Sequence, residues 1–150
     1  MQTGLSRRYF LQVLGAGAAG AAGVFACSGN GGGGDPVAFG EVNAGNVSAL
    51  QVGSVKSVPG EPVFIGRDES GLYAMTTTCT HQGCDMSASS SITSEIQCSC
   101  HGSRFDLNGK VLQGPASRSL AHFDISLAAD GTITVNGGAQ VNASTRTAVA

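Results

Sequence analysis

The chain has no tryptophan, and Asp, Glu, Lys and Arg together make up only 12% of its residues. Its formal net charge is −2, and no stretch collects the basic residues that a phosphate backbone needs. Nucleic acid is therefore excluded as a partner. Beyond the N-terminal stretch no segment shows the apolar period of a helix. Glycine is abundant instead, at 23 residues of 150. A glycine-rich, helix-poor chain suggests many short strands joined by turns. The length fits one domain, and with the first part set aside roughly 110 residues remain, enough for one modest core.

That first part reads as a leader. Residues 4 to 27 open with charge, continue as a short apolar run and end in small residues. The run Ser6-Arg7-Arg8-Tyr9-Phe10-Leu11 resembles the twin-arginine export signal, and the glycines that dilute its apolar segment suit that route. The pathway exports proteins already folded around their cofactors. Loss of Arg7 and Arg8 with the leader would take the charge from −2 to about −4. Gly15, Gly17 and Gly20 spell a dinucleotide fingerprint, but an Arg pair precedes them and a Gly run follows, where a strand and a helix are required. Val24-Phe25-Ala26-Cys27 resembles a lipoprotein cleavage box with Cys27 as the lipidated residue, although Phe25 is bulkier than usual there. Cleavage after Ala26 without lipid and an uncleaved anchor remain open; Tyr9 to Ala26 is marginal for a span of about 20 residues. All three place the domain on the periplasmic side of the membrane. Ser28 to Pro36 follows as a flexible linker with a reach of roughly 16 Å. The expected division is leader 1–27, linker 28–36, domain 37–140 and polar tail 141–150.

From Val47 the pattern is β. Val52 to Val58 predicts a strand ended by Pro59-Gly60. Pro62 to Arg67 and Leu72 to Thr76 flank Asp68-Glu69-Ser70-Gly71, a hairpin signal. Asn108-Gly109 predicts a two-residue hairpin turn between Phe105-Asp106-Leu107 and Lys110-Val111-Leu112. Ala121, Phe123, Ile125 and Leu127 alternate with polar residues, which puts His122 on a solvent face. Asp130-Gly131 turns into Ile133 and Val135, and the chain from Gly137 is expected to fray. The fold class is all-β, an antiparallel sandwich.

Cys79 to Ser103 concentrates the chemistry. It reads C-T-H-Q-G-C, then C-S-C-H-G-S, and holds four of the five cysteines and two of the three histidines. Each half presents one sulfur and one imidazole from a loop after a strand. Two facing loops of this kind suit tetrahedral zinc or an iron–sulfur cluster of mixed ligation.

With Gly114-Pro115-Ala116 downstream, the two motifs resemble the Rieske [2Fe–2S] family over about Val47 to Val135. The resemblance implies a small cluster-binding subdomain of two loops on the β sandwich, with one [2Fe–2S] cluster per subunit. It implies that Cys79 and Cys98 ligate one iron and His81 and His101 the other. Cys84 and Cys100 would form the disulfide of the exported, high-potential branch. Ser103 would donate a hydrogen bond to a bridging sulfide, and Gly114-Pro115 would cover the cluster. Neutral imidazoles in place of two thiolates raise the potential above that of four-Cys clusters. Two positions depart from the respiratory pattern: Phe105 stands where many members have Tyr, and Ser117 where they have a second Pro.

The expected function is electron transfer by a periplasmic, membrane-tethered protein. Competing readings are a subunit of a cytochrome bc-type quinol oxidoreductase, the small subunit of an arsenite-oxidase-like molybdenum enzyme, and a structural zinc module. The cytoplasmic ferredoxins of ring-hydroxylating dioxygenases are less similar, lacking the disulfide pair and a leader. The implied partner is a cytochrome or a molybdenum oxidase subunit; a quinol would meet the histidine rings. Nothing in the sequence supplies substrate chemistry, so the chain is not expected to be catalytic alone.

Overall fold

The computed structural model describes residues 34–88, 92 and 94–149. The leader with Cys27 and nearly all of the linker lie outside the described residues, and with them the export and lipidation expectations. Among the described residues no helix is long and apolar enough to cross a membrane. The elements in order are β1 (Glu41–Asn46), a 3-10 turn (Val47–Ala49), β2 (Ser54–Ser57), β3 (Val63–Asp68), β4 (Gly71–Thr76), β5 (Ile96–Gln97), β6 (Arg104–Phe105), β7 (Val111–Gln113), β8 (His122–Leu127) and β9 (Thr132–Val141). They form a six-stranded antiparallel sheet ordered β1-β9-β8-β4-β3-β2 and a three-stranded sheet ordered β5-β6-β7.

The β3–β4 hairpin closes through Glu69-Ser70, with Asp68 opposite Gly71. Asp68 Oδ1 accepts from the backbone N–H of Ser70 at 2.8 Å and of Gly71 at 3.1 Å. This Asx-type closure is what the Asp-Glu-Ser-Gly sequence encodes. β4 is buried along its whole length, so it reads as an apolar run rather than as an alternation. Leu72 and Ala74 face a core with Val63, Ile65, Phe123, Ile125, Ile133 and Val135. Tyr73 and Met75 face the opposite way, with Val55 and Phe64, and are covered by Ile96, Phe105 and Leu120. The small sheet thus packs on the outside of the large one, and both faces of β4, and of β3 from Val63 to Gly66, are buried.

That second buried face corrects the placement of His122. Its alternation with Phe123 is as expected, but it pairs in register with Met75, on the side the small sheet covers, and is only 3% exposed. Its Nδ1 lies 3.2 Å from the Leu120 carbonyl and its Nε2 3.3 Å from Asn108 Oδ1. The Asn108-Gly109 turn also differs from expectation. Asp106 N–H donates to the Lys110 carbonyl and Gly109 N–H to the Asp106 carbonyl, which encloses a three-residue loop with Gly109 left-handed at φ 74°.

Two segments are more ordered than the sequence suggested. β1 begins at Glu41, ahead of the expected onset at Val47. β9 runs on through Gly137 and Gly138 and pairs again with β8, Gln140 opposite Phe123 and Val141 opposite His122, while the Phe39 ring occupies the space a Cβ at Gly137 would need. The chain beyond does not fray. Leu72 and Thr147 exchange backbone hydrogen bonds at 2.8 and 2.9 Å. Arg146 lies 4.2 Å from the Tyr73 ring centroid, pairs with Asp68 at 2.6 Å and donates to Asn108 Oδ1 at 2.8 Å.

Candidate metal centre

β4 delivers the first motif and β5 the second, and both form the same loop. Cys79 N–H donates to the Cys84 carbonyl at 2.8 Å, and Gly83 N–H returns to the Cys79 carbonyl at 2.9 Å. Cys98 N–H donates to the Ser103 carbonyl at 2.8 Å, and Gly102 N–H returns to the Cys98 carbonyl at 2.9 Å. Gly83 and Gly102 take left-handed φ values of 75° and 77°, which glycine alone adopts at little cost. The loops are therefore local repeats. The spacing Cys-x3-Gly-Cys and Cys-x3-Gly-Ser carries that repeat in the sequence, a signal separate from the Cys/His pattern.

The repeat puts Cys79 opposite Cys98 at the loop bases, where both are buried and unbonded. Their thiols are within hydrogen-bonding reach of each other. Burial pushes the Cys79 thiol up, against the backbone N–H of His81 and the Ser103 hydroxyl that favour its anion. Two adjacent thiols in a dry site call for a cationic group to hold them as thiolates. His81 and His101 sit farther out, with ring centroids 4.7 Å apart and planes at 83°. His101 is exposed and His81 half-buried. His81 Nδ1 is buried without a hydrogen-bond partner. Such an atom is costly unless something occupies its lone pair. A metal there satisfies it, so this donor set fits an iron–sulfur cluster: Cys79, Cys98, His81 and His101 are the residues that would hold it.

Cys84 and Cys100 form a disulfide that joins the two loops. Both of its sulfurs, with Cys98 Sγ, lie within 4.8 Å of one another. That trio is not the metal site, because two of its sulfurs are already bonded to each other. Ser103 is fully buried and its Oγ accepts from Ala116 N–H at 3.0 Å. Its own hydrogen is thereby left for a sulfur, and Cys79 Sγ is in reach. The Gly114–Ala116 loop is thus tied to the second motif, and it is tied to the first as well. Thr80 Oγ1 donates to the Arg118 carbonyl at 2.5 Å. Neither Thr80 nor Arg118 belongs to a sequence pattern that signals this role. Phe105 packs in the same apolar cluster as Cys79 and Cys98 and is completely buried. His122 lies away from the site, beneath the β6–β7 hairpin.

Fold and site together define a class: an all-β domain that clamps a mixed Cys/His iron–sulfur centre between two loops. Residues 40–124 match the Rieske [2Fe–2S] domain, and the chain belongs to that family. It is 38% identical over 79 residues to the cytochrome b6-f complex iron-sulfur subunit of Synechococcus sp. (strain CC9605), a match covering 51% of this chain and 44% of that one. The same subunit of Prochlorococcus marinus subsp. pastoris (strain CCMP1986 / NIES-2087 / MED4) is 36% identical over 110 residues, covering 65% and 61%. The chain therefore spans about half the length of these relatives. Among solved structures, the cyanobacterial plasma membrane Rieske protein PetC3 from Synechocystis PCC 6803 superposes with a TM-score of 0.50 at 31% identity, covering 63% of this chain and 98% of that one. The structure of the oxygenase–ferredoxin complex of carbazole 1,9a-dioxygenase, at 24% identity and TM-score 0.50 over 68% of this chain and 97% of that one, shares the fold. The cofactor is accordingly a [2Fe–2S] cluster, which stores one electron.

Proposed function

We propose that the protein carries single electrons at the periplasmic face of the cytoplasmic membrane, tethered there through its N-terminus. In this reading it draws electrons from a quinol-oxidising cytochrome complex. One observation carries it: His101 stands exposed against His81 above two buried thiols, so the imidazole edges are the way in and out for an electron. A quinol or a haem edge would approach the same rings, whose outer nitrogens can take a hydrogen bond. The Cys84–Cys100 disulfide suits an oxidising compartment, and the twin-arginine pattern at Arg7-Arg8 suits export with the cluster already assembled. Likeness to cytochrome b6-f subunits supports a membrane cytochrome partner over a molybdenum oxidase subunit.

The test is isolation from native membranes. Dithionite-reduced protein is expected to give the electron paramagnetic resonance signal of a mixed-ligand [2Fe–2S] centre and to co-purify with a b-type cytochrome. A silent spectrum with bound zinc would sink the redox reading. Recovery with a molybdenum subunit would replace the partner.

A further inference from the structure

The end of the linker is not free. Arg118 Nη2 donates to Asp35 Oδ1 at 3.2 Å and reaches the Gly34 carbonyl at 3.5 Å. The Arg118 carbonyl in turn holds the hydroxyl of Thr80, which lies between the ligands Cys79 and His81. Gly34 itself is seated on the first ligand loop, since a Cβ there would collide with the Gly83 amide and the Cys79 carbonyl. Farther along, Val37 lines a cleft of about 440 Å³ with Thr77, Thr78, Gly83 and Asp85. Phe39 then packs edge-on against Phe123 at 4.9 Å, just before β1. The chain from Gly34 to Phe39 therefore runs from the cluster loop down the side of the domain.

We propose that Gly34 to Val37 is a docked strap, so that the tether leaves the domain at its cluster end and holds that end toward the membrane. The inference rests on the tethered reading above. Only six residues, Ser28–Gly33, separate Cys27 from Gly34, so an anchor at Cys27 cannot lie farther than roughly 25 Å from the docked glycine. A cluster held that close to its anchor faces a donor in or at the bilayer, a lipid-soluble quinol or a membrane-embedded cytochrome, rather than a diffusing soluble carrier. The Arg118–Asp35 pair is largely exposed, so the strap is held reversibly and salt weakens it.

The full-length, cluster-loaded protein in lipid nanodiscs tests this by nuclear magnetic resonance. Amides of Gly34 and Asp35 are expected to be broadened by the paramagnetic cluster, as Gly83 is, and to sharpen in a Gly34→Val/Arg118→Gln variant. Sharp Gly34 and Asp35 signals in the unsubstituted protein would overturn the strap. In vesicles carrying gadolinium-chelate headgroups, the reduced cluster is expected to relax faster in the unsubstituted protein than in the variant. Equal relaxation would overturn the orientation. Protein that fails to float with vesicles, yet keeps broadened Gly34 and Asp35 amides, would refute the tether and with it the membrane-facing orientation, while leaving the docked contact in place.

Discussion

A sulfur that gains negative charge on reduction becomes a better hydrogen-bond acceptor, so a donor aimed at it raises the potential. Ser103 is placed to be such a donor, with its oxygen occupied by the Ala116 amide and its hydrogen directed into the site. Ser103→Ala is expected to lower the potential by roughly 40 mV, which corresponds to a bond worth about 1 kcal/mol more in the reduced state. It should also cost about 1–3 kcal/mol of stability, because the buried Ala116 amide loses its partner. Protein-film voltammetry and urea unfolding read the two effects separately. Phe105 is the converse case, completely buried in one cluster with Cys79 and Cys98 and with no hydroxyl to offer. Phe105→Tyr should raise the potential by roughly 40 mV, and an unchanged or lower value would remove hydrogen bonding from the explanation. His122 affects stability instead. Burial lowers its pKa from the ordinary 6.5, the nearby Arg146 charge adds to the lowering, and the Leu120 carbonyl and Asp106 oppose it. The unfolded chain then binds this proton first. Stability is therefore full above about 6.5 and is lost as pH falls from there to the lower folded value. His122→Gln should flatten the fall in urea midpoint between pH 7.5 and pH 5; equal slopes in both proteins would contradict this.

Elements were legible where local chemistry determines them and illegible where a distant segment does. The β3–β4 hairpin, the alternation in β8 and the two ligand loops follow from Asp-Glu-Ser-Gly, from period-two patterning and from the Cys and Gly spacings. Alternation tells which residues share a face of a strand, but not whether anything covers the other face. Hence the pattern of β8 points His122 to solvent, although the β6–β7 hairpin lies over it. β1 was missed because Asn43, Gly45 and Asn46 break its pattern, and it is held by pairing with β9 from the far end of the chain. The tail looked frayed because its residues are small and polar. What docks it, besides the Leu72–Thr147 backbone pair, is one long side chain, Arg146, bound to Tyr73, Asp68 and Asn108 at once. Tyr73 lies flat because Gly66 opposite it has no Cβ to obstruct the ring, and its hydroxyl donates to the Leu107 carbonyl at 2.8 Å. Tail, large sheet and hairpin therefore meet at one ring. Arg146→Ala is expected to cost about 2 kcal/mol, since a mostly buried cation–π contact and a charge-assisted bond go together. Urea midpoints measure it, and a change below about 0.5 kcal/mol would mark the tail as merely adjacent.

At the scale of the whole molecule, two bodies share one apolar face. The large sheet keeps its own core around Leu72, Ala74, Phe123 and Val135. The small sheet has little of its own, and its Ile96 and Phe105 are buried by Val55, Phe64, Tyr73 and Met75 of the large one. Its loops are held by four kinds of tie: the disulfide, the Thr80–Arg118 bond, the Ser103–Ala116 bond and, when bound, the cluster. A disulfide across a sequence separation of 16 contributes about 3 kcal/mol by restricting the open chain. Replacing Cys84 and Cys100 together by Ser should therefore weaken the small body first, because the large core does not depend on that crosslink. Hydrogen exchange on the cluster-loaded double variant is expected to show faster opening of β5, β6 and the Gly83 and Gly102 amides, with β8 and the inner residues of β9 unchanged. Loss of visible colour in the presence of an iron chelator should accelerate in step with that opening, since iron leaves only when both loops part. If exchange instead rises uniformly across both sheets, the domain opens as a single unit, and the disulfide stabilises the whole fold rather than guarding the cluster.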